Sequence, residues 1–102
     1  MADFEKINAE ELNEVSGGAA GTAVGTVKTV CNLQGGYLAV RTAPAYKYEN
    51  EIQSTKLYNG EQVTIAGPYV AGTGINNTKA TYAYVYVPKT GVTGYTNAYY
   101  LK

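Results

Sequence analysis

Hydrophobic and polar residues alternate along most of the chain in a way that predicts short β-strands. The clearest alternation runs from Tyr82 to Val87, where three tyrosines occupy one face and Ala83, Val85 and Val87 occupy the other. Runs rich in β-branched residues predict further strands. The strands predicted on this basis cover residues 26–33, 38–41, 52–57, 62–66 and 94–96.

Turn residues separate the predicted strands at short intervals. Asn59-Gly60 is a strong turn signal, and Gly67-Pro68 ends the strand that follows it. Residues 69–81 contain glycines and asparagines, which predict an exposed loop or a hairpin with a long tip. Short strands between turns predict an all-β fold, a compact barrel or sandwich. The expected core residues are Leu38, Val40, Ile52, Leu57, Val63, Ile65, Val85, Val87 and Leu101.

The first 18 residues have a different pattern, which predicts a short helix. Phe4, Ile7, Leu12 and Val15 recur at spacings of three to five and would form one apolar stripe. A glycine pair then provides a natural helix stop. A helix of this length is marginal on its own in water, so the stripe needs a surface to lie on. That surface is either the core of this protein or a groove on another protein.

Charge divides the chain at the same place. Five acidic residues and one basic residue up to Gly18 give −4, whereas seven basic and three acidic residues after it give +4. The basic residues are scattered, so no nucleic-acid partner is expected. No apolar run approaches the roughly 20 residues that span a bilayer, so no stable membrane span is expected. The N-terminus also lacks an ordinary secretory signal, which by the usual rule favours the cytoplasm.

The residue inventory excludes most catalytic chemistry. The chain has no histidine, and Ser16 and Ser54 are its only serines, so neither a Ser/His/Asp triad nor a Cys/His metal cluster can form. Glu49 and Glu51 are two residues apart on a predicted loop, where carboxylates are usually solvated. Cys31 is the only cysteine and cannot form an internal disulfide. We therefore expect a protein that is not an enzyme and that uses neither a metal nor a cofactor.

Tyrosine is the most distinctive residue of the chain, with eleven copies, all after Gly18. A tyrosine offers a flat apolar ring and a hydroxyl, which suits stacking on sugars or peptide groups. Tyrosines also form good cross-strand pairs and can coat a small sheet without binding anything. About half of them are expected to be scaffold. The predicted ligand-binding residues are Tyr46, Tyr48, Tyr84, Tyr86 and Tyr99.

The N-terminal segment resembles the double-glycine leader of peptide bacteriocins and related exported peptides. The residues that carry this resemblance are Ile7, Glu11, Leu12, Val15, Gly17 and Gly18. The resemblance implies export by an ABC transporter whose cysteine-peptidase domain recognises Phe4, Ile7, Glu11, Leu12 and Val15 and cuts after Gly18. Gly17 and Gly18 would then be the cleavage-site residues, since a pair without side chains can enter a narrow proteolytic channel. The precursor would be cytoplasmic and the mature chain secreted, or held at the cell surface, which reverses the expectation from the ordinary signal rule.

The rest of the chain resembles a bacterial SH3 domain. The segments that carry this resemblance are Leu38-Ala39-Val40-Arg41, Pro44, Ile52, residues 57–65, Thr93-Gly94-Tyr95 and Tyr99-Tyr100-Leu101. Tyr84 stands where that family usually has tryptophan, and the segment around residues 72–79 is longer than expected. The implied organisation is a short helical or disordered leader over residues 1–18, a flexible linker and first strand over 19–35, and an SH3-like barrel over 36–102.

Three functions remain open at the level of the sequence. The first is a secreted binding module that attaches to cell-wall peptide or glycan through tyrosines, helped by its positive charge. The second is a bacteriocin-like antibacterial or signalling polypeptide that matures by loss of its leader. The third is an intracellular interaction domain in which the N-terminal helix is not a leader.

Overall fold

Seven antiparallel β-strands form one sheet in the computed structural model, which describes residues 22–102. The all-β fold predicted by the alternating pattern is confirmed. Three single-turn 3₁₀ helices, at Tyr48–Asn50, Ile75–Asn77 and Ala98–Tyr100, lie between or after the strands. The strands are β1 (Val27–Thr29), β2 (Leu38–Arg41), β3 (Glu51–Leu57), β4 (Gln62–Ile65), β5 (Val70–Thr73), β6 (Lys79–Val87) and β7 (Val92–Asn97).

Strand β6 is the longest and organises the sheet. The strand order is β1-β4-β6-β7-β2-β3, and β5 pairs with the first half of β6. The second half of β6 pairs with β4 on the same side, through Thr64–Tyr86 and Ile65–Val85. Strand β7 pairs along most of the opposite side of β6. The segment between Val70 and Lys79 is therefore a hairpin, as its glycines and asparagines predict.

The sheet curls around a single hydrophobic core. Val30, next to β1, and Leu57, at the end of β3, belong to the same buried cluster although their strands lie at opposite ends of the strand order. The C-terminal residues then return to β1: Thr29 N donates to the Lys102 carbonyl at 2.9 Å, and Val30 forms a bridge with Leu101. Both ends of the described chain are thereby held by backbone hydrogen bonds.

The predicted core agrees closely with the observed one. Ile52 and Leu101 are only partly buried and pack against the edge of the core. Val30 and Ala83 are also in the core. The remaining seven expected residues are buried: Leu38, Val40, Leu57, Val63, Ile65, Val85 and Val87.

The N-terminal end of the described chain is tied to the sheet before β1 begins. Thr22 Oγ1 lies 3.1 Å from the Tyr69 hydroxyl, and Gly25 N donates to the Ile65 carbonyl at 2.8 Å. The predicted leader over residues 1–18 lies outside the described residues, and so do the first three residues of the predicted linker. Among residues 22–102, no helix is long and apolar enough to cross a membrane.

The three tyrosines of β6 share a face of the strand but not an environment. Tyr82 is 1% exposed, whereas Tyr86 is 41% exposed. The difference arises because the segment around Pro44 crosses over β5 beside Tyr82. Gly72 makes this crossing possible, since a Cβ atom there would overlap the Pro44 carbonyl and lie 2.9 Å from Tyr82 Cδ1. The pattern of residues assigns the face, but the covering loop determines the burial.

Candidate ligand-binding cleft

A cleft of about 630 Å³ lies on the face of the sheet that points away from the core. Its floor includes Ala39 and Arg41 of β2, Tyr82 of β6 and Asn97 of β7, which alternate along their strands with core residues. Its walls come from the turn before β2, the loop before β3, the hairpin tip before β6 and the C-terminal 3₁₀ helix. Strands thus fix the floor, and loops form the rim.

Arg41 is the central charged residue of the cleft and is only 6% exposed. Its Nη1 atom donates to the Lys47 carbonyl at 2.9 Å and to Asn50 Oδ1 at 3.1 Å. The guanidinium also lies over the Tyr46 ring, 4.7 Å from its centroid. A buried guanidinium needs acceptors, and the loop over residues 42–50 supplies them by folding back on β2.

Asn50 holds that loop closed. Its side chain is buried, and Nδ2 donates to the Ala45 carbonyl at 2.9 Å while the backbone carbonyl accepts from Thr42 N at 2.8 Å. The loop is also attached to β5, because Tyr46 N donates to the Thr73 carbonyl at 2.9 Å. This hydrogen bond fixes the backbone of Tyr46 and so determines where its ring lies at the rim of the cleft.

Glu51 and Tyr37 form a hydrogen-bonded pair at another part of the rim. The Tyr37 hydroxyl donates to Glu51 Oε1 at 2.8 Å, and this bond is the main reason that the pKa of Tyr37 lies above its ordinary value. Glu51 Oε2 lies 3.9 Å from Arg41 Nη1. Lys56 Nζ lies over the Tyr37 ring, 5.0 Å from its centroid. The negative charge of Glu51 thus faces both the tyrosine and the arginine.

Tyr82 forms part of the floor with its hydroxyl already engaged. This hydroxyl donates to the Thr73 carbonyl at 2.7 Å, and burial raises the pKa of Tyr82. The phenol stays protonated at neutral pH because both its ordinary pKa and this shift place ionisation well above neutrality. Because Tyr82 is almost fully buried, it supports the floor of the cleft from beneath and offers a ligand little surface.

The five tyrosines predicted to bind a ligand do not converge on the cleft. Tyr46 lines it, and Tyr84 packs against Tyr95 with ring centroids 5.0 Å apart. Tyr48 is 75% exposed on its 3₁₀ helix, and Tyr86 is exposed on the outer face of β6. Tyr99 is 71% exposed and packs edge-on against Tyr100. Of the five, only Tyr46 is a cleft residue.

Three other tyrosines join Tyr46 around the cleft: Tyr37, Tyr82 and Tyr100. The position of Tyr37 beside the start of β2 could be predicted from the sequence, because Tyr37 directly follows the glycine pair that ends the turn before that strand. Tyr82 could be assigned to the outer face but not to the cleft, because the cover over it depends on a loop 38 residues earlier in the chain. Tyr100 reaches the cleft because the last 3₁₀ helix turns the chain back toward β1.

The cleft supports binding by stacking, hydrogen bonds and charge. Aromatic rings face it from several sides, and Arg41, Glu51 and Lys79 provide charged groups. Within the part of the chain that the structure describes, no three His, Cys, Asp or Glu side chains group in a way that could hold a metal ion. The predicted cleavage residues Gly17 and Gly18 and the leader-recognition residues Phe4, Ile7, Glu11, Leu12 and Val15 lie outside the described residues.

Comparison of the chain with models of protein families, with curated proteins and with solved structures gives no significant match.

Proposed function

We propose that this chain is a secreted bacterial binding module with an SH3-like barrel, exported through a double-glycine leader and attached to cell-wall peptide or glycan by its cleft. The observation that carries the proposal is the cleft itself, in which the rings of Tyr37, Tyr46 and Tyr100 lie around the buried Arg41. Rigid aromatic rings around a few placed polar groups are typical of sites for small saccharides and peptides.

The positive charge of the part after Gly18 supports the same function. A net charge of +4 on a small body favours association with anionic polymers, and a bacterial wall is one such polymer. The leader resemblance supports export, with an ABC transporter and its cysteine-peptidase domain as the processing partner. Binding and export are separate parts of the proposal and need separate experiments.

Retention on purified peptidoglycan tests the binding part. The full chain, with and without prior treatment by a double-glycine peptidase, is incubated with insoluble peptidoglycan, and the bound fraction is measured after sedimentation. We expect Tyr46→Ala to lose most of the retention, because Tyr46 lines the cleft. Tyr86→Ala is the matched control, since Tyr86 is exposed outside the cleft and its loss should change nothing.

The outcomes separate the proposal from its alternatives. No retention of either form, together with killing of neighbouring strains by the processed chain, would favour a bacteriocin-like polypeptide. Equal losses in the two tyrosine variants would show that the cleft is not the binding surface. Mass spectrometry of the peptidase reaction tests the leader: a cut after Gly18 supports export, and an intact chain supports an intracellular interaction domain.

A further inference from the structure

We propose that the cleft takes a short peptide by its free carboxylate, which lies between Arg41 and Lys79. The inference rests on the proposed function, because it names the class of ligand for the same cleft. It follows from an imbalance between hydrogen-bond donors and acceptors among the cleft side chains.

The unused polar groups on Arg41, Lys79 and Asn97 are all donors, whereas the amides of Asn32 and Gln34 offer both donors and acceptors. Arg41 uses Nη1 for its two hydrogen bonds, while Nε and Nη2 donate to no group within residues 22–102. In the same range Lys79 forms neither a hydrogen bond nor an ion pair, although it lines the cleft. Asn97 Oδ1 accepts from Tyr99 N at 3.0 Å, which leaves the amide nitrogen of Asn97 as its free end. A ligand that accepts hydrogen bonds would satisfy all three side chains.

The one carboxylate of the cleft is already engaged. Glu51 Oε1 accepts from the Tyr37 hydroxyl, and Oε2 faces Arg41 Nη1. With Arg41 and Lys79 positive and Glu51 negative, the cleft carries a net charge of +1. One surplus positive charge matches a monoanion. A carboxylate also matches the planar fork of a guanidinium, which can donate to two oxygens at once.

The remaining lining favours a peptide over an acidic sugar. Ala39, Ala80 and Ile75 present small apolar surfaces beside the charged groups, and these suit small apolar side chains. Every hydroxyl of a sugar brings a proton that needs an acceptor. Glu51 and Asn97 each already use a side-chain oxygen in a hydrogen bond, and the amide oxygens that remain belong to Asn32 and Gln34, which lie in the turn before β2 and not on the floor beside Arg41.

The first test compares two ligands that differ only at their end. N-acetyl-trialanine as the free acid and as the C-terminal amide is titrated into the full chain by isothermal calorimetry, with amide NMR shifts to locate binding. Because hydrogen bonds to a charged group are about twice as strong as neutral ones, we expect the amide to bind about tenfold more weakly or worse. Equal affinities for acid and amide would overturn the proposal.

The second test removes the exposed positive charge. Arg41 holds the rim loop, so its replacement would disturb the cleft, whereas Lys79 is exposed and can be changed to Gln without loss of packing. We expect Lys79→Gln to weaken the free acid about two- to fivefold and to leave the amide unchanged. Lys102→Gln is the matched control, because it removes the same charge outside the cleft. An equal loss in both variants would show a general charge effect and overturn the site.

Two further probes decide the source of the anion. Glucuronate and inorganic phosphate compete against the bound tripeptide acid. Weaker competition by both supports a peptide carboxylate, and stronger competition by either one overturns it. Retention on peptidoglycan is measured separately. If the chain sediments with walls but does not bind the tripeptide acid, this inference alone is refuted. If the chain binds the acid but not walls, the proposed function alone is refuted.

Discussion

Replacing Gly72 by alanine tests how the cleft is built, because this glycine lies where the loop before β3 crosses β5. A Cβ atom at residue 72 would overlap the Pro44 carbonyl oxygen and lie 2.9 Å from both the Pro44 carbonyl carbon and Tyr82 Cδ1. Two of these three atoms belong to the backbone, so they cannot rotate away. The substitution must either strain the crossing or lift the loop.

The cost follows from the two ways in which the chain can respond. Strain from an added methyl group in a packed site costs about 1–3 kcal/mol. Lifting the loop breaks the bonds Thr73 N to Pro44 O, at 3.1 Å, and Tyr46 N to Thr73 O, at 2.9 Å. Each such bond contributes about 0.5–1.5 kcal/mol net. Alanine has less conformational freedom than glycine in the unfolded chain, and this difference stabilises the folded protein by about 0.4–1 kcal/mol. We therefore expect Gly72→Ala to lower the free energy of unfolding by about 1–2 kcal/mol.

Urea denaturation measures this loss, and amide hydrogen exchange at Tyr46 locates it. Gly74→Ala is the matched control in the same hairpin, because Gly74 has a φ of −101° and its nearest potential contact is the Thr78 hydroxyl at 3.1 Å. We expect the control to be close to neutral and exchange at Tyr46 to quicken only in Gly72→Ala. If Gly72→Ala is as stable as the control and exchange at Tyr46 is unchanged, then the close approach at Gly72 does not hold the rim loop in place.

Three further predictions follow from single contacts. Val30→Ala should lower the free energy of unfolding by about 2 kcal/mol in urea melts, because the side chain is 1% exposed in the core, and an unchanged midpoint would contradict its burial. Hydrogen bonding from Lys89 lowers the pKa of Glu61 in the folded chain, so this stabilisation is present above the unfolded pKa and is lost as the pH falls through the folded one. Lys89→Met should therefore destabilise the protein more at pH 7 than at pH 3, and equal effects would contradict the linkage. Glu51→Gln should move the pKa of Tyr37 down toward its ordinary value in an NMR titration of the ring, and no movement would exclude the hydrogen bond as the cause.

The amino-acid pattern alone was sufficient for the strands and most of the core. Alternation has a period of two, and the residues that face inward on β6 are those that the alternation assigns to one side. Asn59-Gly60 and Gly67-Pro68 end their strands for local backbone reasons that need no knowledge of the fold. Local chemistry therefore determined where β3 ends and where β4 begins and ends to within a few residues.

Buried polar groups could not be predicted in the same way. Arg41 and Asn50 are buried, at 6% and 8% exposure, although arginine and asparagine are ordinarily at the surface. Their burial is tolerated because each supplies the hydrogen-bond partner that the other needs, at 3.1 Å. The hydrophobic pattern of the sequence does not predict this pairing, because the two residues are nine apart and meet only when the loop between them folds back.

By itself, the sequence determined an all-β domain, the inward and outward faces of its strands, and a tyrosine-rich outer surface. Only the tertiary structure decided which tyrosines share a cleft. Tyr46, Tyr82 and Tyr100 come together because a loop crosses β5 at Gly72 and the last 3₁₀ helix returns the chain to β1. The physical reason is that strand faces are set by neighbours along the chain, whereas a cleft is set by contacts between segments that are distant in the sequence.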